Sequence, residues 1–399
     1  MTPSVAGVAP KARLDHLDGI RGIAAFSVMV GHIRWPSAIA TLPPFHNISL
    51  WVDFFFVLSG FVIAHTYFER LSSGLPVVAF MTRRFARLYP LHLVTLFAAL
   101  AYEILKWKTT GVVDVEANIA PFQHNNASSF LANLFLVQSL GTIPDVTWNS
   151  PSWSISVEFF TYLLFAVLVA VTRGRRPVFW LLLTLLQTVS IAILVTRTHG
   201  DFLSVETDYG FFRCVLGFGM GVVISQFHAN TTRTPDASGS VGNRPAHDGL
   251  KAALACVILL LIAMPTYKTA WTLIAPFFFA AFIWLLVRYR GGVFEKLLLS
   301  RPCQFLGALS YSIYMVHSVF RGGLRNVWRL GQHHEFFHSG VGRILLNEGL
   351  TLFYISLVLW VSWLCYRVIE LPAQRWLNQR FEWPRDRQPA RSEREPVRA

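Results

Sequence analysis

The sequence predicts an all-α fold, a polytopic transmembrane helical bundle of about ten spans, and three observations carry that expectation. Hydrophobic residues make up 53% of the 399 positions and charged residues 14%, where a soluble domain carries about 25% charged. The apolar residues gather in blocks: 178–195, 269–287 and 349–366 each run for 18 or 19 residues without a charge. A bilayer core of roughly 30 Å takes about 20 such residues as a helix. No period-2 alternation between closely spaced turns runs through the chain, which argues against a transmembrane β-barrel.

Ten segments read as spans: 20–42, 48–68, 86–106, 152–171, 178–196, 209–228, 250–267, 269–287, 302–320 and 349–369. The third is the weakest, with Pro90 near its start and Glu103 near its end. Residues 130–140 are too short to cross alone and read as interfacial or re-entrant. The chain divides into a cytoplasmic N-terminal segment (1–18), a transmembrane domain (19–371) and a cytoplasmic, partly disordered tail (372–399). Residues 229–249 read as a flexible linker. The first 18 residues are polar and no small-residue processing site follows, so the first apolar run is expected to be a retained span.

The formal charge of +13 is assigned to cytoplasmic loops and not to nucleic-acid binding, because membrane proteins concentrate Lys and Arg on the inner side. With the N-terminus inside, the inner segments hold Lys11, Arg13, Arg70, Arg83, Arg84, Arg87, Arg173, Arg175 and Arg176, and the basic tail joins them. Both termini are therefore expected in the cytoplasm. Arg321, Arg325, Arg329 and Arg343, in the last outer loop, run against this trend. The four cysteines lie in or beside different apolar blocks and read as small buried hydrophobes.

Ionisable residues at membrane depth need a reason. The first span carries Asp18, Arg21 and His32. At 3.6 residues per turn, Arg21 and His32 share a face about 16 Å apart, and Asp18 falls within about 40° of His32. One reading makes Asp18 and Arg21 an anchor and His32 a hydrogen-bonded bundle residue; the other makes His32 a general base facing a central cavity. Asp53 lies inside an aromatic run and could orient an imidazole or pair with an arginine. Arg84 and Arg87, three apart on one helix side, suit the phosphates of a large anionic cofactor, and equally a positive-inside cluster. Ser152, Ser156 and Glu158 bring polar groups into the fourth span, with Glu158 rotated away from both serines, so no serine triad is expected. Ser310, Tyr314 and His317 share a face toward the outer end of the ninth span, and Glu370 precedes Pro372 at the inner boundary. No HExxH or P-loop motif occurs, and no metal site is expected.

Six pieces together carry a resemblance: LDGIRGIAAFSVMVGH at 17–32, VDFFFVLSGFVI at 52–63, RRFARLYP at 83–90, SWSISVEFFTYLLF at 152–165, LGALSYSIYMVH at 306–317 and IELP at 369–372. In order and spread they resemble the membrane-bound acyltransferase 3 family of bacterial O-acetylases and O-acyltransferases. The resemblance implies a ten-helix bundle that passes an acyl group, usually acetyl, from acyl-coenzyme A to a hydroxyl of a sugar, glycolipid, polysaccharide unit or glycosylated small molecule. The family's arginine and histidine separated by ten residues match Arg21 and His32, which makes His32 the leading catalytic residue. Its arginine pair separated by two residues matches Arg84 and Arg87 as a coenzyme A contact. The chain ends soon after its last span and so resembles members without a C-terminal hydrolase-like domain. The rival reading is a proton-coupled secondary transporter using the same buried Asp, Arg and His residues.

Overall fold

The computed structural model describes residues 14–109, 120–198, 200, 202, 205–231, 244–264 and 270–381. Most of the expected N-terminal segment, the middle of the linker (232–243) and the tail beyond 381 lie outside the described residues. Among the described residues the chain is helical, in the order α1 (Asp15–Gly31), α2 (Ser49–Ser72), α3 (Val77–Thr109), α4 (Ala127–Leu134), α5 (Ser152–Thr172), α6 (Arg176–Arg197), α7 (Gly210–Thr231), α8 (Arg244–Ala263), α9 (Ala275–Arg288), α10 (Gly292–Leu298), α11 (Arg301–Gly331), α12 (Gly340–Cys365) and α13 (Leu371–Arg380). A helix covers most of each expected span. Among the described residues, six helical runs are long and apolar enough to cross a membrane: α2, α3, α5, α6, α7, and the run from α12 through α13. A seventh results if α9 and α10, bent by 96° at their junction, count together.

Two of the expected spans fall short by length. α1 has 17 residues and α9 has 14, about 25 and 21 Å of helix against a core of roughly 30 Å. The first helix begins at Asp15 and ends at Gly31, so His32 is its C-cap and not a mid-span residue. Ile33 and Trp35, which stretched the apolar run toward residue 42, instead fold back as loop residues into a hydrophobic cluster with Met29, Ile313 and Tyr354. Asp15 and Asp18, in the first turn of α1, complement its dipole. α3 is 33 residues long and continues through Pro90. A ring at that position frees the Ala86 carbonyl, and, two residues on, the Tyr311 hydroxyl donates to the Leu88 carbonyl, tying α11 to α3.

Two helix pairs form the centre of the bundle. α1 lies against α11 with Gly22 on the backbone of Leu306 and Gly307, and α2 lies against α7 with Gly221 on the backbone of Val57 and Phe61. A Cβ at either glycine would strike that backbone. Lipid tails are as apolar as leucine, so close approach and van der Waals packing must supply what the hydrophobic effect does not. Gly60, in the small pair Ser59-Gly60 of α2, packs on the Phe218 backbone of α7 in the same way.

The α2–α7 seam also holds a buried ion pair. Arg213 Nε and a terminal nitrogen donate to the two oxygens of Asp53 at 2.8 and 2.9 Å, with both side chains about 5% exposed or less. The same guanidinium donates to the Ser49 carbonyl at 2.8 Å and stands 5.4 Å over the Trp153 ring of α5. Asp53 thus pairs with an arginine, and three helices meet at that contact.

Residues 130–140 do not cross the bundle. They fold as α4 and a following turn that the serines of α5 seat: Ser152 Oγ donates to Asn133 Oδ1 at 3.2 Å, and Ser156 Oγ to the Leu136 carbonyl at 2.5 Å. Glu103, near the end of α3, accepts from the Phe122 N–H and from Asn125 and pairs with Lys106.

Removing one partner of the Asp53–Arg213 pair strands the other charge, which typically costs about 3–5 kcal/mol. Asp53→Asn and Arg213→Met are expected to lower the thermal midpoint of the detergent-purified protein by several degrees. The double change Asp53→Leu with Arg213→Met should recover part of that loss. Single variants that melt with the wild type would show that the pair holds nothing together.

Candidate functional site

A cavity of about 470 Å³ opens among α1, α2, α3, α5, α11 and the α12–α13 junction. Three guanidinium and three carboxylate groups line it: Arg21, Arg84 and Arg87, with Asp18, Glu158 and Glu370. The carboxylates are engaged. Asp18 pairs with Arg21 at 2.7 Å across one helical turn. Glu158 accepts from the Tyr162 hydroxyl at 2.5 Å, and Tyr162 in turn meets Ser59 at 2.7 Å. Glu370 accepts from Ser312 at 3.0 Å and from Gln374 at 3.3 Å.

That accounting leaves Arg84 and Arg87. Arg84 donates to the Tyr67 hydroxyl at 3.2 Å and lies 5.1 Å over its ring, while its Nε is buried without a hydrogen-bond partner. Arg87 makes no ion pair among the described residues. Both face the cavity, whereas Arg83, between turns, is not part of its lining. Two guanidinium groups outside any ion pair among the described residues, one turn apart on the first third of α3 and within electrostatic reach of Glu158, suit the oxyanions of a phosphorylated ligand. Arg21 has a different role. Its Nε donates to Ser310 Oγ at 2.9 Å, so α1 and α11 hold it from both sides.

His32 is not in the cavity lining. Its Nδ1 bonds the Val28 carbonyl at 2.8 Å, an acceptor, so Nδ1 carries the proton and Nε2 keeps its lone pair. The ring lies 4.8 Å from that of His317, inclined at 48°. His317 is fully buried; its Nδ1 is 3.3 Å from the Ile313 carbonyl and its Nε2 has no hydrogen-bond partner. Tyr314 stands 6.0 Å from His317 and 5.7 Å from Phe55, with its hydroxyl 2.9 Å from Ser154 Oγ. Phe55 and Tyr314 both line the cavity. They form the wall between it and the histidine pair.

The polar column read along the first helix therefore divides into two places. Asp18 and Arg21 reach the cavity, and His32 lies beyond the Phe55–Tyr314 wall. Glu158 and Tyr314 belong to the lining; Asp53 and Ser152 do not, being spent on Arg213 and on the α4 segment. Sequence reasoning passed over Ser154, Tyr162 and Glu370 as site residues and Arg213 altogether. Ser154 and Tyr162 each lie four residues from Glu158, one turn away on the same face, and that spacing was a usable signal. Nothing local marked Arg213 as the partner of a residue 160 positions away.

The chain matches the sequence profile of an acyltransferase domain over residues 14–367, a stretch that holds the histidine pair and the cavity residues short of Glu370. Among curated relatives, the acyltransferase MdmB of Streptomyces mycarofaciens is 28% identical over 395 residues, covering 92% of this chain and 93% of that protein. The putative membrane-bound transacylase BcsY of Komagataeibacter xylinus is 25% identical over 77% of this chain and 73% of its own length. The peptidoglycan O-acetyltransferase OatA of Listeria monocytogenes serovar 1/2a is 26% identical over 75% of this chain and 48% of its own. No solved structure matches. With the profile spanning all but the last 32 of its 399 residues after Arg13, the chain belongs to the acyltransferase 3 family of membrane acyltransferases.

Proposed function

We propose that this chain is a membrane O-acyltransferase that moves an acyl group, acetyl by preference, from acyl-coenzyme A to a hydroxyl of a sugar-containing acceptor. The observation that carries the reading is the placement of two unpaired arginines at one end of a cavity whose other wall, Phe55 and Tyr314, abuts the His317–His32 pair. Coenzyme A phosphates would sit on Arg84 and Arg87, and the pantetheine arm would run inward past Arg21 and Ser59. Tyr314 would turn off its Ser154 partner to let the thioester reach His32.

In that complex His32 Nε2 removes the proton of the acceptor hydroxyl as its oxygen attacks the thioester carbonyl. The carbon–sulfur bond breaks and the thiolate leaves, taking up the proton. The Val28 carbonyl holds the required tautomer, and the His317 ring limits how far the imidazole can rotate. The reading places the arginine end in the cytoplasm of a bacterial inner membrane, with both termini inside and α1, α8, α9 and α11 completing a ten-span bundle.

His32→Ala is expected to lower acyl transfer by about 100- to 10,000-fold, the usual worth of a positioned base, in protein that still elutes as a single folded species. Wild-type turnover by that variant would refute the assignment. Arg84→Gln and Arg87→Gln should raise the KM for acyl-coenzyme A by about tenfold, one charge-assisted phosphate bond each, with kcat little changed. Nanodisc-embedded protein given labelled acetyl-coenzyme A and a panel of glycosides would release coenzyme A in an acceptor-dependent way. Solute movement in proteoliposomes without thioester cleavage would instead identify a proton-coupled transporter.

A further inference from the structure

One charge pattern is left over once the cavity and the histidine pair are assigned. Arg321 and Arg325 follow His317 on α11 by one and two turns, and Arg34 follows His32 by two residues. They come together: Arg321 and Arg34 are the charged side chains that act on His32, and Arg321 in turn feels Arg34, Arg325, Glu206 and the Tyr354 hydroxyl. None of these three arginines forms an ion pair among the described residues. The nearby carboxylates are committed or stand off. Glu348 accepts from Ser37 Oγ at 3.0 Å and from the Ala38 N–H at 2.6 Å, Asp53 is held by Arg213, and Glu206 lies within electrostatic reach of Arg321 without pairing with it.

Among the described residues, cations of this bundle that have a carboxylate include Arg213 with Asp53, Arg21 with Asp18 and Lys251 with Asp248. Arg84 and Arg87 are the other unpaired arginines facing a site, and they point at the donor phosphates in the reading above. Like charges gathered without a counterion repel one another, and arginines on this side oppose the usual distribution of basic residues. Beside them sit two more polar features, the unpartnered Nε2 of fully buried His317 and the Tyr354 hydroxyl, which donates to the His317 carbonyl at 3.0 Å.

We propose that Arg34, Arg321 and Arg325 form a binding site for an anionic group of the acceptor, a carboxylate or phosphate that seats the acceptor so that its hydroxyl meets His32. Guanidinium forks match either oxyanion. The acceptor class is then an acidic sugar or a sugar carried on phosphate, and a neutral glycoside is the poorer substrate. This inference rests on His32 being the acyl-transfer base.

The test uses full-length protein in phosphatidylcholine nanodiscs and reads, by mass spectrometry, how well a ligand protects His32 from diethyl pyrocarbonate. The probes are methyl β-glucuronoside, glucose 1-phosphate and neutral methyl β-glucoside. At least one anion is expected to half-protect His32 at tenfold lower concentration than the neutral glycoside, and which anion does so separates a carboxylate from a phosphate source. Arg321→Gln and the exposed Arg34→Gln should each erase the preference, Arg321→Lys should keep part of it, and Arg87→Gln should leave it intact. Equal protection by all three probes overturns the proposal, as does a preference that survives Arg34→Gln or one that depends on Arg87. Acyl transfer is measured separately on the same nanodiscs. Its absence in the wild type would remove the acyltransferase reading while leaving the protection result standing.

Discussion

A guanidinium placed among packed helices has to find an acceptor, and the arrangement of this protein follows from how its arginines do so. Arg213 is held by Asp53, the Ser49 carbonyl and the Trp153 face, and its pairing fixes α2, α7 and α5 with respect to one another. Arg21 is shared between Asp18 and Ser310, which fixes α1 against α11. Those two seams are where glycines bring backbones into contact. A charge buried at a close-packed seam tolerates little displacement, since sliding either helix would leave it unpaired.

Because these pairs are closed, the open ones carry meaning. Arg84 and Arg87 face a cavity whose carboxylates are already bonded to Arg21, Tyr162, Ser312 and Gln374. The histidines lie on the other side of two aromatic rings. Those rings set the arginines of the cavity apart from the imidazoles, and one residue, Tyr314, touches both sides. Its hydroxyl bond to Ser154 and its ring contacts with Phe55 and His317 make it the point through which the two halves of the site can communicate.

The architecture also explains why six helical runs of evident spanning length among the described residues stand beside helices that fall short by that measure. α1 is 17 residues long and carries Asp18 and Arg21, while α11 is long enough but has its apolar character diluted by Ser310, Tyr311, Ser312, Tyr314 and His317. What makes such helices poor candidates by composition is what makes them useful to a site.

The sequence by itself determined where the helices lie, because apolar composition over some 20 residues is a local property, and it determined which positions were chemically costly. The motifs running from Asp18 to Glu370 were enough to resemble one family, to which the profile match then assigned the chain. The end of α1 at Gly31 was not legible, since Ile33 and Trp35 are as apolar as a span but are buried by Ile313 and Tyr354 from distant helices. Only the tertiary structure decided that Asp53 serves Arg213, that Ser152 serves the α4 segment while Ser154 faces the cavity, and that Arg21 and His32, on one helix, stand on opposite sides of a wall. Helical periodicity gives the direction in which a side chain leaves its own axis; what it meets there is set by other elements, 19 positions away for Ser152 and 160 for Asp53.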